Sequence, residues 1–198
     1  QIYQRMLTYT LNKIVKTAEI ALLLSVGLIL TGAFVTTPTL IVLLLFTNDF
    51  VTMAIATDRV TSPRSPQRWH VRALVVTAVA LAVLILLLSF SILFVGRDVL
   101  RLPLAQLQTL IFIMLVFSGQ GTVYLVRERR HFWNSMPSRW LLLSSGVDIL
   151  IVSLLATHGI LMAPVSGTLV VAVLALVAVY LAAVDFVKIG IVRYLRCC

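Results

Sequence analysis

Three acidic residues lie within long apolar stretches of the sequence: Glu19, Asp49 and Asp148. A carboxylate in apolar surroundings can bind a cation through its oxygens, or it can hold a proton. A charged side chain at the centre of a bilayer costs at least about 2.5–3.5 kcal/mol, and such residues usually serve an ion or substrate path. These three carboxylates are therefore the candidate ion-binding residues, and Asp49 is the strongest of them.

Polar neighbours could complete an ion site around these carboxylates. Thr47 and Asn48 precede Asp49 and would add oxygen ligands. Lys16 lies three residues before Glu19 on the same helical face, so the two could pair directly. Alternatively, Glu19 and Asp49 face each other across the first two helices. The spacing alone does not choose between a metal cation and a proton, so the metal stays unknown.

The composition determines the elements that must position these side chains. Of 198 residues, 61% are hydrophobic and 12% are charged, whereas soluble domains are about 45–50% apolar and about 25% charged. Apolar runs of about 20 residues predict transmembrane helices, and an all-α integral membrane bundle is the expected fold class. The six predicted spans cover approximately residues 14–35, 39–56, 71–95, 104–126, 140–158 and 165–184.

The stretch from Ile20 to Asn48 carries no charge and is interrupted near Pro38. Two spanning helices need more residues than this stretch provides, so Glu19 and Asp49 must both lie inside the bilayer. A second helix that begins near Pro38 places Asp49 roughly 17 Å along its axis, close to the centre of the membrane. Asp148 lies roughly 12 Å into the fifth predicted span by the same count.

The charges predict the orientation of the bundle. All but two of the 16 lysines and arginines fall on one side of the predicted spans, and the exceptions are Arg97 and Arg101. By the positive-inside rule, both termini and the loops 58–72 and 127–139 are cytoplasmic. Aromatic anchors are expected at this boundary: Trp69, Trp133 and Trp140. The net charge of +9 therefore reflects topology, and the expected partner is the lipid bilayer, with no nucleic acid.

Other polar residues within the spans have structural interpretations. Gln108, Ser118 and Gln120 are expected to make interhelical hydrogen bonds. Asp185 and Lys188 are expected to form an interfacial pair where the last helix ends. The sequence contains no P-loop, zinc-ligand cluster, dinucleotide fingerprint or nucleophile elbow, so we expect no catalytic residue in this chain.

Two segments carry a family resemblance: IYQRMLTYT at 2–10 and LFTNDFVTMAIATDRV at 45–60. They resemble the C-terminal membrane region of P-type ATPases, and most of all the plasma-membrane proton-pumping branch. The resemblance implies that the six spans are the fifth to tenth helices of a ten-span pump. It also implies that Asp49 matches the sixth-helix aspartate that accepts the proton.

The resemblance departs from the proton pumps at Glu19. Plant proton pumps are expected to carry an arginine there, and a glutamate is more similar to the fifth helix of calcium pumps. Lys16, one turn away, could take over the role of counter-ion. The resemblance therefore implies a proton pump, with a calcium or other metal-cation pump as the alternative.

The same resemblance implies that the phosphorylation, nucleotide-binding and actuator domains lie upstream of Gln1. The chain would then be a fragment in the plasma membrane that is not catalytically competent alone, and a full-length pump would use ATP and Mg. A stand-alone six-span structural or regulatory protein without transport is a second hypothesis. A secondary transporter is a third, but the paired broken helices that it predicts do not occur in the sequence.

Overall fold

The computed structural model describes residues 2–55, 71–127 and 137–197, which are helical apart from short connections. The predicted loops 58–72 and 127–139, with Trp69 and Trp133, lie largely outside the described residues, so the orientation stays a prediction. The six α-helices are α1 Ile2–Thr31, α2 Pro38–Ile55, α3 Val71–Phe94, α4 Leu104–Arg127, α5 Arg139–His158 and α6 Gly167–Cys197. One π-helical turn, Val95–Val99, continues directly from α3. An all-helical fold is therefore observed over the described part of the chain.

Length and composition make five of these helices candidates to cross a membrane. They are Tyr9–Thr31, Val76–Val99, Leu104–Arg127, Arg139–His158 and Gly167–Gly190. The remaining helix, α2, is apolar over Pro38–Ala54 but shorter than the others. A helix of that length falls at the lower limit for crossing the hydrocarbon core. The helices lie close to the predicted positions, and a full set of six spans remains a prediction.

Helices α1 and α6 end at residues other than the ends of the predicted spans. The first helix ends at Thr31, not near Val35, because Gly32 adopts a left-handed φ of 68° and its N–H caps the carbonyl of Leu28 at 2.9 Å. The last helix continues to Cys197, although the apolar run that predicted it ends near Val184. Helix α6 tolerates the charges beyond that point because Asp185 and Lys188 pair within one of its turns.

Helix α4 forms the centre of the bundle and packs against all five other α-helices. Within its membrane-length window 89% of the residues are buried, compared with 28–44% for the other four candidate spans. Small residues let neighbouring helices approach it closely. At Gly121, an added Cβ would lie only 2.0 Å from Cδ1 of Leu181 on α6. The side chains on α4 therefore face protein on every side, and its polar residues must find partners on other helices.

Helix α5 has well-defined caps at both ends. The hydroxyl of Ser138 accepts a hydrogen bond from the N–H of Leu141 at 3.2 Å, and Gly159 ends the helix in the left-handed conformation with φ 70°. An added Cβ at Gly159 would meet three atoms of Pro164 at 3.1–3.3 Å. The position thus requires glycine both for its backbone and for the space around it.

Substitution of Gly159 should destabilise the bundle, whereas Gly146 on the same helix provides a matched control. Gly159→Ala is expected to lower the free energy of unfolding by about 1–2 kcal/mol, because L-residues are strained in the left-handed region. Gly146→Ala should cause no loss, since nothing lies within 4 Å of the added Cβ. Unfolding followed by circular dichroism in detergent micelles measures both variants. Equal stability of the two variants would contradict this assignment of the cap.

Candidate ion-binding site

A buried cluster on the inner face of α1 contains Lys16 and Glu19, which are 2% and 0% exposed. The Nζ of Lys16 donates to Oε2 of Glu19 at 2.8 Å, as expected for residues three apart on a helix. It also donates to the carbonyl of Leu115 at 2.5 Å and to the hydroxyl of Ser118 at 2.9 Å, both on α4. All three protons of the ammonium group therefore have acceptors, and two of these acceptors belong to the central helix.

The second oxygen of Glu19 joins the cluster to α3. Its Oε1 accepts from the hydroxyls of Ser89 and Ser118, at 3.0 Å in each case. A buried ion pair is tolerated when further hydrogen bonds satisfy its remaining donors and acceptors, and this pair meets that condition. The cluster is neutral, closed to water and shared by α1, α3 and α4.

Asp49 lies in different surroundings. Its side chain on α2 is 59% exposed and forms an ion pair with Lys13 of α1, which is 31% exposed. Glu19 and Asp49 thus have separate lysine partners, and the structure does not bring the two carboxylates together as the facing arrangement would require. Two adjacent carboxylates would repel one another, whereas a lysine beside each one neutralises its charge.

The two residues before Asp49 have different partners. The buried hydroxyl of Thr47 donates to carbonyls of its own helix at Leu43 and Leu44, at 3.1 Å in each case. Asn48 lines a crevice between α2 and α4 that is too narrow to hold a water molecule. Their predicted role as ion ligands stays a prediction.

Gly119 gives Lys16 and Asn48 the room that they need at α4. An added Cβ at Gly119 would lie 3.0 Å from Cε and 3.3 Å from Nζ of Lys16, and 3.7 Å from Oδ1 of Asn48. A side chain at this position would press on the ammonium group. Glycine at this position thus allows the buried lysine to reach the backbone of the central helix.

The third candidate, Asp148, is 5% exposed on α5 and accepts a hydrogen bond from Nε2 of Gln120 on α4. The expected interhelical bonds of Gln120 and Ser118 are thereby confirmed. Gln108 donates to the carbonyl of Phe34, in the connection between α1 and α2, at 2.7 Å. Among the described residues, no group of three or more His, Cys, Asp or Glu side chains could hold a metal ion.

Asp185 and Lys188 pair at 2.6 Å, as expected. The two residues are 0% and 3% exposed and lie inside the bundle, and α6 does not end there but continues to Cys197; the predicted interfacial position stays a prediction. Lys188 also donates to the carbonyl of Leu125 on α4 at 2.9 Å. This pair therefore attaches α6 to the central helix.

Three polar residues of the bundle were not identified from the sequence as candidates: Lys13, Ser89 and Asn12. The lysine that pairs with Asp49 is Lys13. Ser89, which lies on an apolar stretch of α3, donates a hydrogen bond to Glu19. Asn12 is fully buried, and neither atom of its amide has a hydrogen-bond partner. In the sequence these residues can be recognised only as polar residues within apolar helices. That pattern does not show which residue each of them contacts.

The chain is similar to two known proteins. It is 30% identical over 197 residues to a protein of Methanocaldococcus jannaschii that is named as a cation-transporting ATPase; the match covers 99% of the chain and 24% of that relative. It is 24% identical over 160 residues to the plasma membrane ATPase of Kluyveromyces lactis, covering 79% of the chain and 17% of that relative. No protein-family model matches the chain.

The two relatives support the resemblance to the C-terminal membrane region of a P-type ATPase. Together with the apolar helices, they support a multi-pass membrane protein. The chain spans about a quarter or less of the length of these relatives. The similarity therefore concerns only this part of the relatives.

Removal of Lys16 should destabilise the bundle far more than removal of Lys13. Lys16→Met leaves Glu19 buried without a cation, and we expect a loss of about 3–5 kcal/mol in the free energy of unfolding. Lys13→Met is the matched control, and because its pair is exposed the expected loss is about 0–1 kcal/mol. The double variant Lys16→Met/Glu19→Gln should recover part of the loss. Chemical denaturation in lipid or detergent compares the three, and similar losses for both single variants would contradict the closed cluster.

Proposed function

We propose that the chain is the C-terminal membrane part, the fifth to tenth helices, of a P-type ATPase that pumps cations across the plasma membrane. The supporting relatives are named as ATPases, one as cation-transporting and one as a plasma membrane protein. In this proposal the remainder of the pump supplies the phosphorylation, nucleotide-binding and actuator domains and uses ATP and Mg. The chain supplies the carboxylate that binds and releases the ion.

Asp49 is the carboxylate that we assign to this role, and the observation that carries the assignment is its open ion pair. A transport site must exchange partners during each cycle, so its carboxylate needs access to an incoming ion. Asp49 lies well inside an apolar helix, is 59% exposed and has a partner, Lys13, that is also partly exposed. Glu19 instead has both oxygens occupied within a closed cluster.

The surroundings of Glu19 support a proton over calcium as the transported ion. Calcium takes six to eight oxygen ligands and requires carboxylates that are free to coordinate it. The oxygens of Glu19 already accept from Lys16, Ser89 and Ser118. A proton needs only one carboxylate, and Asp49 can provide it. In the metal-cation alternative, Thr47 and Asn48 would contribute oxygens beside Asp49.

We further propose Lys13 as the counter-ion of Asp49. The sequence predicted this role for Lys16, but in the structure Lys16 is engaged with Glu19. A proton that binds Asp49 would displace the ammonium group of Lys13. When the proton leaves, the same ammonium group would neutralise the carboxylate again and oppose its recapture.

The exposed Lys13–Asp49 pair also supports the proposal that further membrane helices belong to the same pump. Charged groups at this depth are costly when they face lipid, and they usually face a bundle interior. The remaining helices of a pump would cover this face of α1 and α2 and enclose the ion path.

The proposal is tested by ATP-driven transport of the complete protein in sealed vesicles. Asp49→Asn should reduce proton uptake to the background level, since an amide cannot take up and release the proton. Ser91→Ala is the matched control, because the exposed hydroxyl of Ser91 only donates to its own helix. Proton uptake that survives Asp49→Asn would defeat the assignment. Calcium-stimulated phosphorylation that is lost in Glu19→Gln would favour the calcium alternative.

The counter-ion assignment is tested by the number of protons moved per ATP hydrolysed. Lys13→Ala should lower this ratio, because Asp49 then lacks the cation that replaces its proton. The double variant Lys16→Met/Glu19→Gln should keep the wild-type ratio, since both partners of the closed cluster are neutral. The reverse result, with a normal ratio in Lys13→Ala and a low ratio in the double variant, would assign the role to Lys16.

A further inference from the structure

Asp148 differs from every other carboxylate among the described residues because it has no cation beside it. The other carboxylates pair with a lysine or an arginine: Lys16–Glu19, Lys13–Asp49, Arg97–Asp98 and Lys188–Asp185. Asp148 is buried, and its one side-chain partner is the neutral amide of Gln120. An ionised carboxylate in this position would therefore carry an uncompensated charge in the interior of the bundle.

The charged and titratable groups on the surrounding helices do not supply the missing cation. Helix α5 packs against α2, α4 and α6. The described groups of these kinds on the four helices are Asp49 of α2, Tyr124 and Arg127 of α4, Arg139 and His158 of α5, and Tyr180, Asp185 and Lys188 of α6. Lys188 is paired with Asp185, Arg139 and His158 lie at the two ends of α5, and Arg127 at the C-terminal end of α4 forms no ion pair with Asp148. The hydroxyl of Tyr124 is hydrogen-bonded to Ser145.

A second observation at the same place points to what is bound. The Oε1 atom of Gln120 is buried and has no hydrogen-bond partner. The oxygen and nitrogen of a side-chain amide can exchange places by a rotation of the group, and their assignment follows from the hydrogen bonds that they make. With the amide of Gln120 turned, its oxygen faces Asp148 and needs a donor. A protonated carboxyl group is such a donor.

A single proton therefore resolves both observations. It removes the charge of Asp148, and it provides an O–H that donates to the otherwise unpartnered oxygen of Gln120. Among the described residues, no group of three or more His, Cys, Asp or Glu side chains could hold a metal ion at Asp148 instead. Thr47 and Asn48 line the same crevice as Gln120, and their side-chain oxygens can accept hydrogen bonds.

We propose that Asp148 is a proton-binding site in which its neutral carboxyl group donates a hydrogen bond to Gln120 and joins α5 to α4. The site is separate from Asp49, and its ligand is a proton taken from solvent. Its occupancy does not depend on the proposed pump activity. Should that activity open the contact between α4 and α5, Asp148 would meet water and release a second proton.

Infrared spectroscopy of the complete protein in lipid at neutral pH tests the site directly. A protonated carboxyl group shows a C=O stretching band that an ionised one lacks, and this band shifts in D₂O. We expect the band in the wild-type protein, its loss in Asp148→Asn, and a shifted band in Gln120→Leu. Asp98→Asn is the matched control and should keep the band, because Asp98 is exposed and pairs with Arg97. A wild-type protein without the band, or a band that Asp148→Asn does not remove, would overturn the proposal.

Thermal unfolding provides a second measurement. An asparagine has nearly the shape of a neutral aspartic acid and can still donate to Gln120, so Asp148→Asn should unfold at the wild-type temperature. A large drop in that temperature would mean that the bundle requires a negative charge at this position, which is incompatible with the proposal. Neither measurement uses transport, so a negative result here is distinct from a failure of the proposed function.

Discussion

The structure depends on one constraint: a charge buried in the interior of a helix bundle is costly unless another group neutralises it. The Lys16–Glu19 pair satisfies this constraint most fully. Its hydrogen bonds reach Ser89 on α3 and Ser118 on α4, so that neutralising two charges also positions three helices. Gly119 gives the ammonium group its place against the central helix. The charge balance and the packing of the bundle thus have the same physical basis.

The carboxylates differ in how they meet this constraint, and the transport role that we propose for Asp49 rests on this difference. Glu19 and Asp185 are closed within lysine pairs that attach α1 and α6 to α4. Asp49 has a lysine partner but remains open at the surface of the bundle, as an exchangeable site requires. Asp148 is buried beside the neutral amide of Gln120 without a cation, and the bound proton that we propose would neutralise it.

Much of the fold could be predicted from the sequence, because apolar runs of membrane length dictate helices wherever they occur. The first and last helices were the exceptions. The left-handed conformation of Gly32 ends α1 earlier than hydropathy indicates. Helix α6 continues through Asp185 and Lys188 because the charges of these two residues neutralise one another. A hydropathy scale counts Asp185 and Lys188 as polar and does not show whether their charges are paired.

The sequence by itself determined which residues are unusual: carboxylates within apolar helices, a lysine one turn from Glu19, and amides on the fourth span. It could do so because a charged side chain within a long apolar run is costly to place in a membrane, and both the charge and the run can be recognised in the sequence. The pairing of Lys16 with Glu19 follows from their spacing of three residues along α1. Only the tertiary structure decided that Lys13 serves Asp49, because the packing of α1 against α2 sets that distance and no spacing along the chain encodes it.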